Sequence, residues 1–71
     1  MKNGIGKQMR ELRKEMGLTQ QQVADKLNLS RVNYTRYETG AVCPDFDTLI
    51  EIADFFNVSL DFLFDRKFNY K

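Results

Sequence analysis

The sequence predicts an all-α domain of five short helices. Apolar residues recur at intervals of three and four positions in several segments, which is the spacing of one face of a helix. A residue type that caps helix N-termini precedes most of these segments, and none shows the strict alternation of a strand. A chain of 71 residues has room for one domain. We expect that domain to occupy residues 1–65, with residues 66–71 as a short C-terminal tail.

The first helix is predicted over residues 4–16. Its apolar residues follow one another at intervals of four, three and four positions and therefore form one stripe: Ile5, Met9, Leu12 and Met16. Gly17 comes next and can adopt the left-handed conformation that closes many helices. We expect the stripe to face the core.

The second and third helices are predicted over residues 20–27 and 31–38. Thr19 begins a capping-box pattern, and Ser30 is a typical N-cap residue. Asn28 lies where the chain must turn, and Asn is the non-glycine residue that best tolerates a positive φ. The two helices are therefore expected to be joined by a turn of only a few residues.

The fourth helix is predicted over residues 46–56, with Asp45 as its N-cap. Its apolar residues share one face: Leu49, Ile52, Ala53 and Phe56. Ser59 caps a short fifth helix that begins near Leu60. Residues 39–44 form the one connection long enough to have a role of its own.

The charges are divided unevenly along the chain. Residues 1–36 contain eight Lys or Arg and three acidic residues, which gives +5. Residues 37–71 contain three basic and seven acidic residues, which gives −4. A polyanion such as DNA would therefore be attracted to the amino-terminal half.

The residue inventory argues against catalysis. The chain has no histidine, Cys43 is its only cysteine, and it has no glycine-rich phosphate loop. We therefore predict no catalytic residues, no metal, no cofactor and no small-molecule ligand. One cysteine allows no internal disulfide, and there is neither a membrane-spanning apolar run nor a signal peptide, so a cytoplasmic location is expected.

One face of the third helix is predicted to be offered to a ligand. At about 100° per residue, four side chains fall within one arc: Arg31, Val32, Thr35 and Arg36. Tyr34 and Tyr37 fall on the opposite side, which is expected to be core. A short capped helix that carries arginine, small polar and methyl-bearing side chains fits the DNA major groove, which is ~12 Å wide.

A resemblance to the Cro and lambda-repressor-like helix-turn-helix family is carried by two runs, LTQQQVADKLNLSRVNYTRYETG and PDFDTLIEIADFFNVSLDFLF. This family comprises phage and bacterial transcriptional regulators. The resemblance covers residues 5–64 and rests on separated signals: Gln20, Ala24, Tyr34, Tyr37, Glu38-x-Gly40 and IADFFNVSLDFL. It implies a compact five-helix DNA-binding domain in which helices 2 and 3 form the helix-turn-helix.

The resemblance also implies roles for individual positions. The base-reading positions are Arg31, Val32, Thr35 and Arg36, with Asn33 at the edge of the arc. The phosphate-binding positions that it implies are Gln20, Ser30 and Arg13. Arg13 is also expected to pair with Glu38 and to fix the end of helix 3 to the scaffold.

The loop after Gly40 departs from the family pattern. Many members carry basic residues there that bind phosphate, whereas this chain has AVCPDFD. We therefore expect phosphate contacts to depend on Thr39 and on the amino-terminal residues Lys2, Lys7 and Arg10.

The sequence as a whole predicts a sequence-specific regulator that binds double-stranded DNA, acting as a repressor on a palindromic operator as a homodimer. The C-terminal residues Leu60, Phe64 and Phe68 are expected to form the dimer contact. Two alternatives stay open: an antitoxin-type DNA-binding protein that also binds a toxin, and an interaction module that has lost DNA binding. The tail aromatics also have an alternative, in which they pack on their own subunit.

Overall fold

The computed structural model describes residues 5–64 and contains five α-helices in this range. These are α1 (Ile5–Glu15), α2 (Gln20–Lys26), α3 (Arg31–Thr39), α4 (Phe46–Phe56) and α5 (Leu60–Leu63). Residues 5–64 contain no strand, so the predicted all-α class is confirmed. The predicted ends of the first four helices agree with the observed ends to within one residue. None of the helices in this part of the chain has the length and apolar character needed to cross a bilayer.

Side-chain caps define where α2 to α5 begin. The Thr19 hydroxyl accepts the Gln22 N–H at 3.1 Å, and the Gln22 side chain accepts the Thr19 N–H at 2.8 Å. Ser30, Asp45 and Ser59 each accept the N–H of the third residue after them. Each cap satisfies a backbone donor that lacks a partner within its helix. The predicted N-caps are therefore confirmed.

The turn between α2 and α3 is held tightly. Asn28 adopts a φ of 62°, as its residue type predicted. The Leu29 N–H then reaches back to the Ala24 carbonyl at 2.8 Å. Ala24 is completely buried, so its small side chain allows the two helices to approach closely. This arrangement fixes the direction in which α3 leaves the turn.

A single core joins the helices. Its fully or nearly fully buried residues come from all five of them and from the end of α2: Ile5, Met9, Val23, Ala24, Leu27, Tyr34, Leu49, Ile52, Ala53, Phe56 and Leu63. The predicted apolar face of α4 is among them. Met16 is an exception, because 48% of its surface is exposed. The prediction that Met16 continues the α1 stripe is wrong, because α1 ends at Glu15 and Gly17 turns the chain with a φ of 73°.

Gly6 is the point where α1 approaches the end of α3. It is buried, and a Cβ built on it would lie 2.8 Å from the Glu38 carbonyl carbon and 2.9 Å from the Tyr37 carbonyl oxygen. Real Cβ atoms do not come this close to backbone atoms, so a side chain at this position would force the two helices apart. The glycine therefore sets the distance between the scaffold helix and the third helix.

Candidate nucleic-acid interface

The solvent face of α3 carries the residues that the sequence assigned to base reading. Arg31, Val32, Asn33 and Arg36 are exposed, and Val32 is exposed over 54% of its surface. Thr35 is half-buried at the edge that faces α2. The opposite side of the helix is held by two tyrosines, Tyr34 fully buried and Tyr37 half-buried against the core. The helix therefore presents one arginine-bearing face and keeps the other in the core.

Arg13 and Glu38 form an ion pair that joins α1 to the end of α3. Arg13 Nε donates to Glu38 Oε2 at 2.7 Å, and Nη2 donates to Oε1 at 3.3 Å. Nη1 donates to the Leu18 carbonyl at 3.1 Å, which adds the segment before α2 to the contact. The two side chains are only 13% and 3% exposed. The pair therefore fixes three segments around one charged centre.

Gln20 and Thr35 extend this pair to the surface of α3. Gln20 Nε2 donates to Glu38 Oε1 at 3.0 Å, and the Thr35 hydroxyl donates to Gln20 Oε1 at 2.9 Å. We call Arg13, Glu38, Gln20 and Thr35 the polar chain. The sequence marked all four residues but not the bonds of Gln20 to Glu38 and Thr35, because these partners are far apart in the sequence.

The charge on Glu38 is maintained by its neighbours. Burial alone would raise the pKa of Glu38. The hydrogen bonds from Arg13 and Gln20, together with the proximity of the Tyr34 hydroxyl, lower the pKa by more than burial raises it, so the net shift is downward. The Tyr34 hydroxyl makes no hydrogen bond of acceptable geometry within the described residues, so it acts on Glu38 as a nearby dipole. Its own pKa is raised by burial first and by the neighbouring carboxylate second. Glu38 is therefore an ionised acceptor at neutral pH.

Acid is expected to remove the contribution of Glu38 to stability. The pKa of Glu38 is lower in the folded chain than in the unfolded chain, where it is ordinary, so the unfolded state binds the proton more readily. The contribution is present at pH values above the ordinary pKa of a glutamate and disappears as the pH falls through the lower folded-state pKa. Urea unfolding between about pH 6 and about pH 2 measures this loss, which should be shallower in Glu38→Gln than in the wild type.

Asp45 is a second carboxylate with a lowered pKa, so its share of the acid dependence is measured separately as a control. Hydrogen bonds from the Thr48 side chain and backbone N–H lower the pKa of Asp45 as well. Asp45→Asn keeps an N-cap acceptor and removes only its own share of the acid dependence. A Glu38→Gln variant that loses stability in acid as steeply as the wild type would contradict the role given to Glu38.

A cleft of ≈ 410 Å³ lies beside the exposed face of α3. It lies where the start of α1 meets the end of α3 and is lined by Gly6, Lys7, Arg10, Gln20, Glu38, Thr39 and Gly40. Three of the predicted phosphate-binding residues, Lys7, Gln20 and Thr39, thus come together around one opening. Arg10 adds a second cation there, and the negative charge of Glu38 is already paired with Arg13. The free charge of the cleft is therefore positive.

Two other residues predicted to bind phosphate lie elsewhere. Ser30 is exposed at the opposite end of α3, where its hydroxyl accepts the Asn33 N–H at 3.1 Å. Arg13 lies behind the cleft and directs three of its N–H groups to Glu38 and the Leu18 carbonyl. The structure thus places Arg13 in the scaffold. Lys2 lies outside the described residues.

The exposed aromatic residues differ from those chosen from the sequence for a dimer contact. Leu60 and Phe64 are half-buried and pack against the core of their own chain. Phe62 is 48% exposed and Phe46 is 67% exposed. Phe68 lies outside the described residues. The sequence signal for Phe46 was its place directly after the Asp45 cap, outside the arc of α4 that faces the core.

Two short helices joined by a tight turn, with an arginine-bearing face on the second, define a helix-turn-helix domain. The model of the helix-turn-helix family matches residues 9–63. The chain belongs to this family, which confirms the resemblance seen in its sequence.

Several curated relatives are named as regulators of transcription. The HTH-type transcriptional regulator YqaE of Bacillus subtilis is 46% identical over 63 residues, which cover 89% of this chain and 54% of the relative. ImmR, an HTH-type transcriptional regulator of the same organism, is 39% identical over 62 residues, covering 87% and 49%. The cryptic phage CTXphi transcriptional repressor RstR of Vibrio cholerae is 36% identical over 62 residues, covering 87% and 55%. The chain therefore spans about half the length of these relatives.

A solved structure shows the same fold. The crystal structure of a transcriptional regulator from Listeria innocua matches with a TM-score of 0.84 and 28% sequence identity. The match covers 100% of this chain and 66% of that chain.

Proposed function

We propose that this chain is a sequence-specific regulator of transcription that binds double-stranded DNA with α3 in the major groove. The observation that carries the proposal is the exposed arginine-bearing face of α3 together with a cationic cleft at the end of the same helix. An α-helix fits the major groove, and the cleft offers contacts to the backbone that flanks it. The names of the relatives support the same function.

The base-reading residues differ in what each offers to a base pair. Arg31 and Arg36 have exposed guanidinium groups, which donate in pairs to guanine N7 and O6. Val32 presents methyl groups suited to the thymine methyl, and Asn33 can bond adenine at the edge of the same face. Thr35 offers a hydroxyl and a methyl group. Together these groups read a short run of base pairs.

The phosphate contacts surround this face. Lys7, Gln20 and Thr39 meet the backbone at the cleft, and Ser30 meets it at the start of α3. Gln20 Nε2 donates one of its two hydrogens to Glu38. The second hydrogen is the one that bonds a phosphate oxygen. These contacts give affinity and register but no sequence preference.

The regulator acts as a repressor in the cytoplasm and binds as a homodimer. One copy offers few phosphate contacts, and two copies on half-sites about 34 Å apart give a palindromic operator whose occupation excludes polymerase. The DNA-binding domain comprises residues 1–65. The pairing surface is centred on α5, where Phe62 is exposed and Leu60 and Phe64 are half-buried.

Selection of bound sequences from random duplexes tests this function. The wild type should enrich a palindrome of two half-sites. Arg36→Ala should lose the preference at one position of each half-site, at a cost of about 1–3 kcal/mol for the preferred duplex, because a bidentate contact to guanine is removed.

Lys26→Ala is the matched control, since Lys26 is an exposed cation of α2 outside the cleft and the α3 face. It should leave the motif unchanged. A wild type that enriches no motif would refute the function. An Arg36→Ala variant with the motif of the wild type would refute the role given to α3, and a motif with a single half-site would refute the dimer.

A further inference from the structure

We propose that Glu38, acting through Gln20, makes Thr35 a hydrogen-bond acceptor toward DNA. Thr35 would then select an amino base, adenine or cytosine, over a keto base on the strand that it faces. The inference rests on the proposed function, since it requires α3 in the major groove. It concerns whether the Thr35 hydroxyl donates or accepts in its contact with DNA, which is determined by the polar chain inside the protein.

The first step is the acceptor at the inner end of the polar chain. Glu38 is 3% exposed and is ion-paired with Arg13 at 2.7 Å. An ionised carboxylate has no hydrogen to donate. Any group bonded to it must therefore present a donor.

The second step follows for Gln20. Its side-chain amide lies between Glu38 and Thr35, with Nε2 3.0 Å from Glu38 Oε1 and Oε1 2.9 Å from the Thr35 hydroxyl. The reverse orientation of the amide would bring its oxygen against the carboxylate, where two acceptors repel. The charge on Glu38 therefore determines which end of the amide faces Thr35.

The third step concerns the hydroxyl. A hydroxyl group has one hydrogen and two lone pairs, and the Thr35 hydrogen is used by Gln20. Thr35 is half-buried at the edge of the α3 face, so its two lone pairs and its methyl group are what it offers to DNA. A free threonine, by contrast, rotates to donate or to accept.

The major groove distinguishes these two cases. Adenine N6 and cytosine N4 present donors there, whereas guanine O6 and thymine O4 present acceptors. A hydroxyl that acts only as an acceptor therefore forms a hydrogen bond with adenine or cytosine and is repelled by guanine O6 or thymine O4. Gln20 is thus a positioning residue for specificity, in addition to any contact that it makes with phosphate.

The test compares the wild type with Gln20→Met, Thr35→Val and Thr35→Ser. Each protein is titrated with duplexes in which the wild-type motif is changed to all four bases at each position in turn. At one position of the half-site, the wild type should favour both adenine and cytosine over both guanine and thymine on one strand by about threefold to tenfold. Thr35→Ser keeps the hydroxyl and should keep this preference, whereas Thr35→Val should lose it.

Gln20→Met separates positioning from phosphate binding. Methionine has a similar length but neither donates to Glu38 nor accepts from Thr35. The variant should tolerate the keto bases at that same position, to within about twofold of the amino bases, because the hydroxyl is free to donate. Loss of a phosphate contact would instead weaken all duplexes alike and leave the ratio between bases unchanged.

The outcomes distinguish this inference from the proposed function. A motif that depends on Arg36, but in which adenine and cytosine do not rank together apart from guanine and thymine on one strand at the Thr35-sensitive position, would refute the inference alone. The same holds for a motif that Thr35→Val leaves unchanged, or for a Gln20→Met variant that weakens binding uniformly. A wild type without any motif would refute the proposed function and the inference with it. The ranking of the four bases in the wild type, and its loss in Thr35→Val, decide the matter even if Gln20→Met does not fold.

Discussion

Arg13→Met is expected to lower the free energy of unfolding by about 3–5 kcal/mol. The substitution leaves Glu38 with an ionised carboxylate that is 3% exposed and has lost its bidentate partner. An exposed ion pair contributes at most ~1 kcal/mol to stability. An unpaired charge in a buried site costs far more than that. Chemical denaturation followed by circular dichroism measures the loss. The domain is small enough for such a loss to leave a substantial unfolded fraction.

The double variant Arg13→Met with Glu38→Met isolates the cause. Removing both charges removes the stranded carboxylate, so most of the lost stability should return. Arg10→Met is the matched control, because Arg10 is an exposed arginine of the same helix, and it should change stability by less than about 0.5 kcal/mol. If the double variant were less stable than Arg13→Met, the loss could not be assigned to an unpaired buried charge.

Gly6→Ala is expected to destabilise the fold by about 2–3 kcal/mol, although alanine is the better helix former. Within α1 the exchange gains at most ~1 kcal/mol of helix propensity. Against this gain, the new Cβ would lie 2.8 Å from the Glu38 carbonyl carbon, in backbone that has no rotamer to change. The contact forces α1 away from α3 and stretches the Arg13–Glu38 pair as it does so. Thermal and denaturant unfolding measure the net effect.

Gly17→Ala is the comparison for this prediction. A Cβ at Gly17 meets nothing within 4 Å, but its φ of 73° is a conformation that alanine adopts at a cost of roughly 1–2 kcal/mol. The Gly17 effect is therefore confined to backbone strain. Only the Gly6 substitution should move α1 relative to α3. Under conditions in which both variants are folded, DNA binding should therefore weaken in Gly6→Ala and persist in Gly17→Ala. A Gly6→Ala variant as stable as the wild type would show that α1 and α3 can separate without cost.

The features that the sequence predicted well are those with local causes. The N-caps at Thr19, Ser30, Asp45 and Ser59 satisfy N–H groups three residues away, so a short window contains the whole interaction. Asn28 was likewise predicted from its own backbone preference. The two faces of α3 follow from helical periodicity alone.

The features that it missed depend on which segments meet in space. Gln20 and Thr35 are 15 positions apart, and nothing in either segment announces their hydrogen bond. The approach of Gly6 to Glu38 depends on how α1 crosses α3. Met16 fits the helical period but falls beyond the residue where α1 ends. In each case the missing information is a tertiary distance and not a residue preference.

The way α3 is anchored has a consequence for how new specificities arise. Its inner side is held by Tyr34, which is fully buried, and by Tyr37, which packs against the core. The turn after α2 and the polar chain at Thr35 and Glu38 provide the other anchors. The exposed positions between these anchors contribute little to folding. Arg31, Val32 and Arg36 can therefore be exchanged, by evolution or by design, with little loss of stability. The same scaffold can be redirected from one operator to another without compensating substitutions in the core.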